Sequence, residues 1–161
     1  MASASSLYVF DTNSLRVFGN YYPDSFPTFW DQLDHLVTTG LLTSVREVRK
    51  ELENQNTSEH LEAWINAHEE LFTAPSEDEM EVVAEIFRVP HFRQLIGEQQ
   101  RLKGLPVADP FVVARASILG GIVVTEESIK PHAARIPNVC NHLRVRSTNV
   151  KGFLEAQGWK F

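Results

Sequence analysis

Leu7-Tyr8-Val9-Phe10-Asp11-Thr12-Asn13-Ser14 is the stretch from which the fold of this chain follows. Four apolar or aromatic residues run straight into a carboxylate and then into small polar residues. A short, β-rich apolar run bounded by turn formers reads as a fully buried strand, central in a parallel sheet. Asp11 then stands at the carboxyl end of that strand, the edge at which open α/β sheets bind their ligands. Two roles are open to it there: a functional acid, or the cap of a helix beginning near Ser14.

A second stretch repeats the arrangement. In Val107-Ala108-Asp109-Pro110-Phe111-Val112-Val113-Ala114-Arg115-Ala116, proline suits the first helical turn and Asp109 is a natural cap. Val112, Val113, Ala116 and Leu119 then face the core. Gly120-Gly121 ends the helix, and Ile122-Val123-Val124-Thr125 is a second buried strand that runs into Glu126-Glu127. If the two strands are parallel, their terminal acids arrive at one edge with Asp11.

Between these blocks the chain reads as helices with little strand character. Phe26, Phe29, Trp30, Leu33, Leu36 and Val37 recur at helical spacing after Pro23 and Pro27. Thr39-Gly40 ends that helix, and Leu41-Leu42-Thr43 is a short strand. Ser44-Val45-Arg46-Glu47 carries the capping-box pattern, which gives Glu47 a structural duty at the start of the next helix. At about 100° per residue, Glu51 lies roughly 90° from the centre of the Val45, Val48 and Leu52 stripe and Glu47 roughly 130°. Glu51 is therefore the acid nearer the core boundary, able to turn towards the sheet edge, or else one more solvated charge in the Arg46 to Glu53 run.

Leu61, Trp64, Ile65, His68 and Leu71 or Phe72 mark a further amphipathic helix. Ser76-Glu77-Asp78-Glu79 starts another, with acids suited to the helix dipole and read as solvated; Met80, Val83, Ala84 and Phe87 form its expected buried face. Arg88, His91, Arg93, Arg101 and Lys103 make the segment before Gly104 locally basic, which could grip phosphates or be scattered surface charge. Pro131 and Pro137 suggest a loop over 128–138, Leu143 to Arg146 an edge strand, and Val150 to Ala156 a last helix. Trp159 and Phe161 are expected to fold back as an apolar plug, and His132 and His142 to lie on the surface.

Composition limits the functions. A chain of 161 residues that is 43% hydrophobic fits one globular domain over 7–161, with the Ala/Ser-rich Met1 to Ser6 as a disordered lead-in and not a signal peptide. A formal charge of -6 argues against holding nucleic acid by bulk electrostatics, but not against a nuclease whose acids bind cations. The lone Cys140 cannot form an intramolecular disulfide, which points to a buried filler and a cytoplasmic setting. Nothing approaches the roughly 20 apolar residues of a membrane-spanning helix.

Asp11, Glu51, Asp109 and Glu127 thus come from separate elements, each at a strand end or helix start. Carboxylates gathered at short range need a compensating cation, and hard oxygen donors suit Mg²⁺ or Mn²⁺. Such an ion orients a phosphate, activates water and stabilises a leaving oxygen, which is the chemistry of phosphodiester hydrolysis. No Cys/His pattern has zinc spacing, and neither a phosphate-cradling glycine loop nor a Ser-His-Asp arrangement is present.

In the order and spacing of these blocks, Asp11-Thr12-Asn13, Val48-Arg49-Lys50-Glu51-Leu52, Ala108-Asp109-Pro110-Phe111-Val112 and Val123-Val124-Thr125-Glu126-Glu127, with the Gly158-Trp159-Lys160-Phe161 ending, the chain resembles the PIN domains of bacteria and archaea. The resemblance implies a Rossmann-like three-layer α/β/α sandwich and a metal-dependent endoribonuclease, often the toxin of a toxin–antitoxin pair. It implies Asp11, Glu51 and Asp109 as metal-binding acids, with Thr12, Asn13, Glu47, Thr125 and Glu126 as supporting residues. The family's fourth acid is usually Asp; here it falls on Glu127 or its neighbour Glu126. RNA as substrate, an antitoxin partner and a homodimer follow as expectations, and Arg93, Arg101 and Lys103 as candidate substrate contacts. A haloacid-dehalogenase-like phosphohydrolase also begins with an apolar strand and Asp, but its general acid two residues on is here Asn13. A noncatalytic binding protein on the same fold is the third class.

Overall fold

Tyr8, Val9 and Phe10 form the first strand, β1 (Tyr8–Phe10), all three buried, as an apolar run with no polar alternation requires. The structure, a computed structural model, describes residues 6–96 and 107–161. After β1 come α1 (Thr12–Val17), α2 (Pro27–Thr38), β2 (Leu42–Thr43), α3 (Arg46–Glu53), α4 (Glu59–Ala67) and α5 (Glu77–Arg88). Then follow α6 (Asp109–Leu119), β3 (Ile122–Val124), α7 (Ile136–Leu143), β4 (Arg146–Thr148) and α8 (Val150–Gln157). Short 3₁₀ turns follow α1, α4 and α5.

The four strands make one parallel sheet in the order β2-β1-β3-β4, so β1 and β3 are central. Val9 pairs with Val123 and Phe10 with Val124, which brings Asp11 and Thr125 side by side at the carboxyl edge. Asp11 donates its N–H to Val124 O at 3.1 Å, extending the ladder one residue past the strand.

Alternation along β1 sends Tyr8 and Phe10 to one face, where both rings meet Phe153 of α8 edge-on at 5.0 Å. Phe18, in the turn after α1, and Phe29 of α2 continue that aromatic layer. On β1 and β3 also packs α6, itself held by α5 and α7. Helices flank the sheet to give a mixed α/β, three-layer α/β/α architecture. At the turn into β3, a Cβ on Gly121 would stand 3.1 Å from Leu7 O, so the close approach of α6's end to β1 requires glycine. The predicted plug forms in part: Trp159 packs on Phe29 and Phe153, while Phe161 stays exposed.

Several expectations are corrected. Ser44 does not cap α3, whose N-cap is Val45 without a side-chain bond; the buried Ser44 hydroxyl instead donates to Phe10 O at 2.7 Å, tying β2 to β1. Glu47 therefore closes no capping box. It is also more buried than Glu51, reversing the helical-wheel ranking, and pairs with Arg46 at 2.8 Å. In α6 the cap is Ala108 and Asp109 is the first helical residue; Leu119 is exposed. The segment read as loop up to 138 contains the start of α7, because Pro137 lies in the first turn where its missing N–H costs nothing. Leu143 closes α7, Arg144 takes the left-handed conformation at φ 59°, and the edge strand begins at Arg146.

On α5 the capping box of Ser76 and Glu79 forms, but the buried face is Glu79, Val82, Val83 and Ile86, with Met80 and Ala84 exposed. Glu79 is no solvated acid. It receives Arg115 of α6 at 3.0 Å in an ion pair with both side chains buried. The same guanidinium donates to Ser44 O and to Ala74 O, the latter at 3.0 Å. Arg115 thereby joins α6, α5 and the exits of β2 and α4 into one body.

Candidate metal centre at the sheet edge

Asp11 resolves its two readings by filling both. Its carboxylate accepts the Ser14 N–H at 2.8 Å as the cap of α1, and at 2% exposure it also lines the cleft at the sheet edge. Ser14, not singled out from the sequence, donates its hydroxyl to Val124 O at 2.8 Å and so locks α1 to β3. Burial pushes the Asp11 carboxyl above its usual range; hydrogen bonds from Thr125 and Ser14 act against that, and the charge of Glu127 adds to it.

The cleft has a volume of ≈ 300 Å³ and is lined by the acids Asp11, Glu51, Asp109 and Glu127 together with neutral side chains. Asp109 feels the others most. Burial, then the charges of Glu127, Glu51 and Asp11, push its carboxyl from 3.8 up to about 8. The separate elements predicted to deliver acids to one edge therefore do so. Cys140 is a buried thiol pushed up to about 12 by burial and by Asp11, as suits an inert filler.

Each of three acids is also held by a protein donor. Glu51 accepts the Thr12 hydroxyl at 2.5 Å on one oxygen and the Ala108 N–H at 2.9 Å on the other. It thus links α3 to α1 and sits at the amino end of α6, where a carboxylate is favoured. Glu127 accepts the Ile136 N–H at 3.2 Å, and its own N–H reaches Thr125 Oγ1 at 3.2 Å. Among the described residues no three His, Cys, Asp or Glu side chains are already gathered to hold a metal ion. A carboxylate oxygen that accepts one such bond has a second lone pair with which it can still accept. The donor set, all carboxylate oxygen and mutually repelling, fits a hard divalent cation.

The neighbours divide. Asn13 lines the cleft and Thr12 both lines it and anchors Glu51. Glu126 faces elsewhere: it accepts the Val150 N–H at 2.8 Å at the start of α8 and lines a groove with Tyr21 and Trp159. Glu47 is not among the cleft residues, and Arg93, exposed, donates to Phe87 O at 2.9 Å. Arg101 and Lys103 lie outside the described residues. Asn54, Gln55, Leu95 and Val107 complete the lining without having been anticipated; the only signal was that Asn54 and Gln55 lie three and four residues beyond Glu51, on one helical face.

A family model described as a domain of unknown function, DUF4411, matches residues 8–161. The chain belongs to the DUF4411 family. This DUF4411 chain is also similar in fold to a chain of VapBC2 from Rickettsia felis, solved bound to a DNA fragment from their promoter. The TM-score is 0.51 at 16% identity, over 89% of this chain and 98% of that one. No curated protein matches. No helix among the described residues is long and apolar enough to cross a membrane.

The split between the paired glutamates in this DUF4411 chain gives a direct prediction. Glu127→Gln should lower the Asp109 midpoint, because Glu127 is the largest charge acting on it, whereas Glu126→Gln should leave it in place. Carboxyl NMR titration of the two variants reads both results.

Proposed function

We propose that this chain is a PIN-like, Mg²⁺- or Mn²⁺-dependent endoribonuclease that hydrolyses RNA phosphodiester bonds in the cleft at the carboxyl edge of β1 and β3. The observation that carries the proposal is that four acids from separate elements, Asp11, Glu51, Asp109 and Glu127, line one cleft; burial and the other three acids push the Asp109 carboxyl up to about 8. Such an arrangement is costly for the empty protein and is offset by a bound dication.

Asp11, Asp109, Glu51 and Glu127 would hold the ion, which supplies electrophilic stabilisation of a phosphate and a lowered water pKa. Asp11 is kept in place by Ser14 and Thr125, so its oxygens are presented without reorganisation. Thr12 and Ala108 orient Glu51, which fixes the start of α6 and with it Asp109. Where a carboxylate of this set is not engaged, it is placed to accept the proton from attacking water. Asn13 stands where a phosphomonoesterase of the dehalogenase type would need an acid, which favours the phosphodiester reading.

The fold likeness to a chain of the VapBC2 complex supports extending the proposal to a toxin with an antitoxin protein as partner. A homodimer and a cytoplasmic setting belong to the same proposal. Asp11→Asn is the test, since asparagine still accepts the Ser14 N–H and leaves the cap intact. Cleavage of RNA should fall by about 10²–10³-fold; unchanged cleavage overturns the proposal.

A further inference from the structure

The cleft's neutral wall has a fixed hydrogen-bond polarity. Gln55 Oε1 accepts from Arg16 Nη1 at 2.5 Å, and because arginine only donates, the amide orientation is set by chemistry. The Gln55 NH₂ is left as a donor on a side chain that lines the cleft. Asn54 Nδ2 donates to Lys50 O at 3.0 Å, and a backbone carbonyl only accepts, so its free group is the Oδ1 acceptor. Both residues are anchored through their backbones at the end of α3: Asn54 N–H reaches Glu51 O at 3.2 Å and Gln55 N–H reaches Leu52 O at 3.3 Å. One donor and one acceptor are therefore presented next to Glu51, in a cleft that also carries the apolar Leu95 and Val107.

No described residue of the cleft lining is positively charged. Beside the acids the described lining is neutral, and paired amides next to apolar side chains suit the edge and face of a nucleobase. We infer that Asn54 and Gln55 read one unpaired base of a single-stranded RNA beside the scissile phosphodiester, with Arg16 as a positioning residue that acts through Gln55. A base edge offering one acceptor and one donor side by side is the complement, and duplex RNA, whose Watson–Crick edges are already paired, is not. The inference rests on the ribonuclease proposal for the same cleft.

The experiment maps cut sites in a random-sequence RNA pool for the full chain and for Gln55→Leu, Asn54→Leu and Arg16→Met. All three positions are exposed, so the variants keep the fold; circular dichroism checks it. Wild-type sites should share a base at one fixed position from the cut, enriched about tenfold. Gln55→Leu and Asn54→Leu should flatten that enrichment, and Arg16→Met should weaken it, read within each variant as the ratio of cutting beside the favoured base to cutting beside the other three. An enrichment unaltered in the two leucine variants, or no enrichment in the wild type, overturns the inference. If the wild type cuts no RNA, the ribonuclease proposal fails by itself, and the same proteins are measured for binding to four single-stranded homopolymer oligoribonucleotides. Base-dependent affinity lost in the leucine variants sustains the inference; base-independent affinity, or none, overturns it.

Discussion

Asp109→Asn is expected to stabilise the metal-free protein near neutral pH while abolishing RNA cleavage. The sign follows from linkage. The Asp109 carboxyl titrates at about 8 in the folded chain against an ordinary 3.8, so between those values the folded state holds a proton that the unfolded state has released. Stability from this group is therefore full at low pH and is lost as the pH rises towards 8. Asparagine, neutral and of equal size, removes that loss. In chelator near pH 8 the variant should melt on the order of 5 °C above the wild type, and near pH 4 the two should coincide. A divalent ion should close the gap by raising the wild type alone, since binding to the folded state stabilises it. Thermal melts at the two pH values, with and without Mg²⁺, read all of this. A variant less stable than the wild type at pH 8 in chelator would show that the cleft carries no repulsion to relieve.

The second large effect lies away from the cleft. Arg115→Met strands the Glu79 carboxylate in the interior and removes the donor to Ser44 O and Ala74 O. Breaking one half of a buried pair costs about 3–5 kcal/mol. Adding Glu79→Gln to Arg115→Met should recover part of the loss, because the stranded charge is then gone. Urea unfolding of the single and double variants measures both steps. A loss within about 0.5 kcal/mol, as for an ordinary surface change, would contradict the role given to Arg115.

What the chain discloses and what it conceals have physical causes. Leu7 to Phe10 and Ile122 to Val124 are legible because strands buried on both faces must be apolar throughout, and the acid that follows each is conspicuous. Their parallel pairing, and so the meeting of Asp11 with Asp109 and Glu127, rests on topology that the pattern could suggest but not fix. Glu79 and Arg115 were hidden because charged residues on helices are usually solvated; only packing of α5 on α6 reveals them as partners. The capping pattern at Ser44 was misleading because the serine hydroxyl is claimed by the neighbouring strand at Phe10 O. Pro137 read as a breaker although a proline in the first turn of α7 is tolerated. Glu126 and Glu127 were indistinguishable in sequence, and separate only because the chain turns after Thr125, sending one to α8 and the other to the cleft. Nothing in the sequence beyond their spacing from Glu51 sets the amides of Asn54 and Gln55 apart, and they acquire meaning from the cleft they line.

The central claim is that hydrolysis depends on a dication held by these four acids. It is tested most directly by following RNA cleavage by the wild type in excess chelator and then on adding Mg²⁺ or Mn²⁺ past the chelator's capacity. Cleavage absent in chelator and restored by the ion is the predicted result; cleavage at an undiminished rate in excess chelator would contradict it.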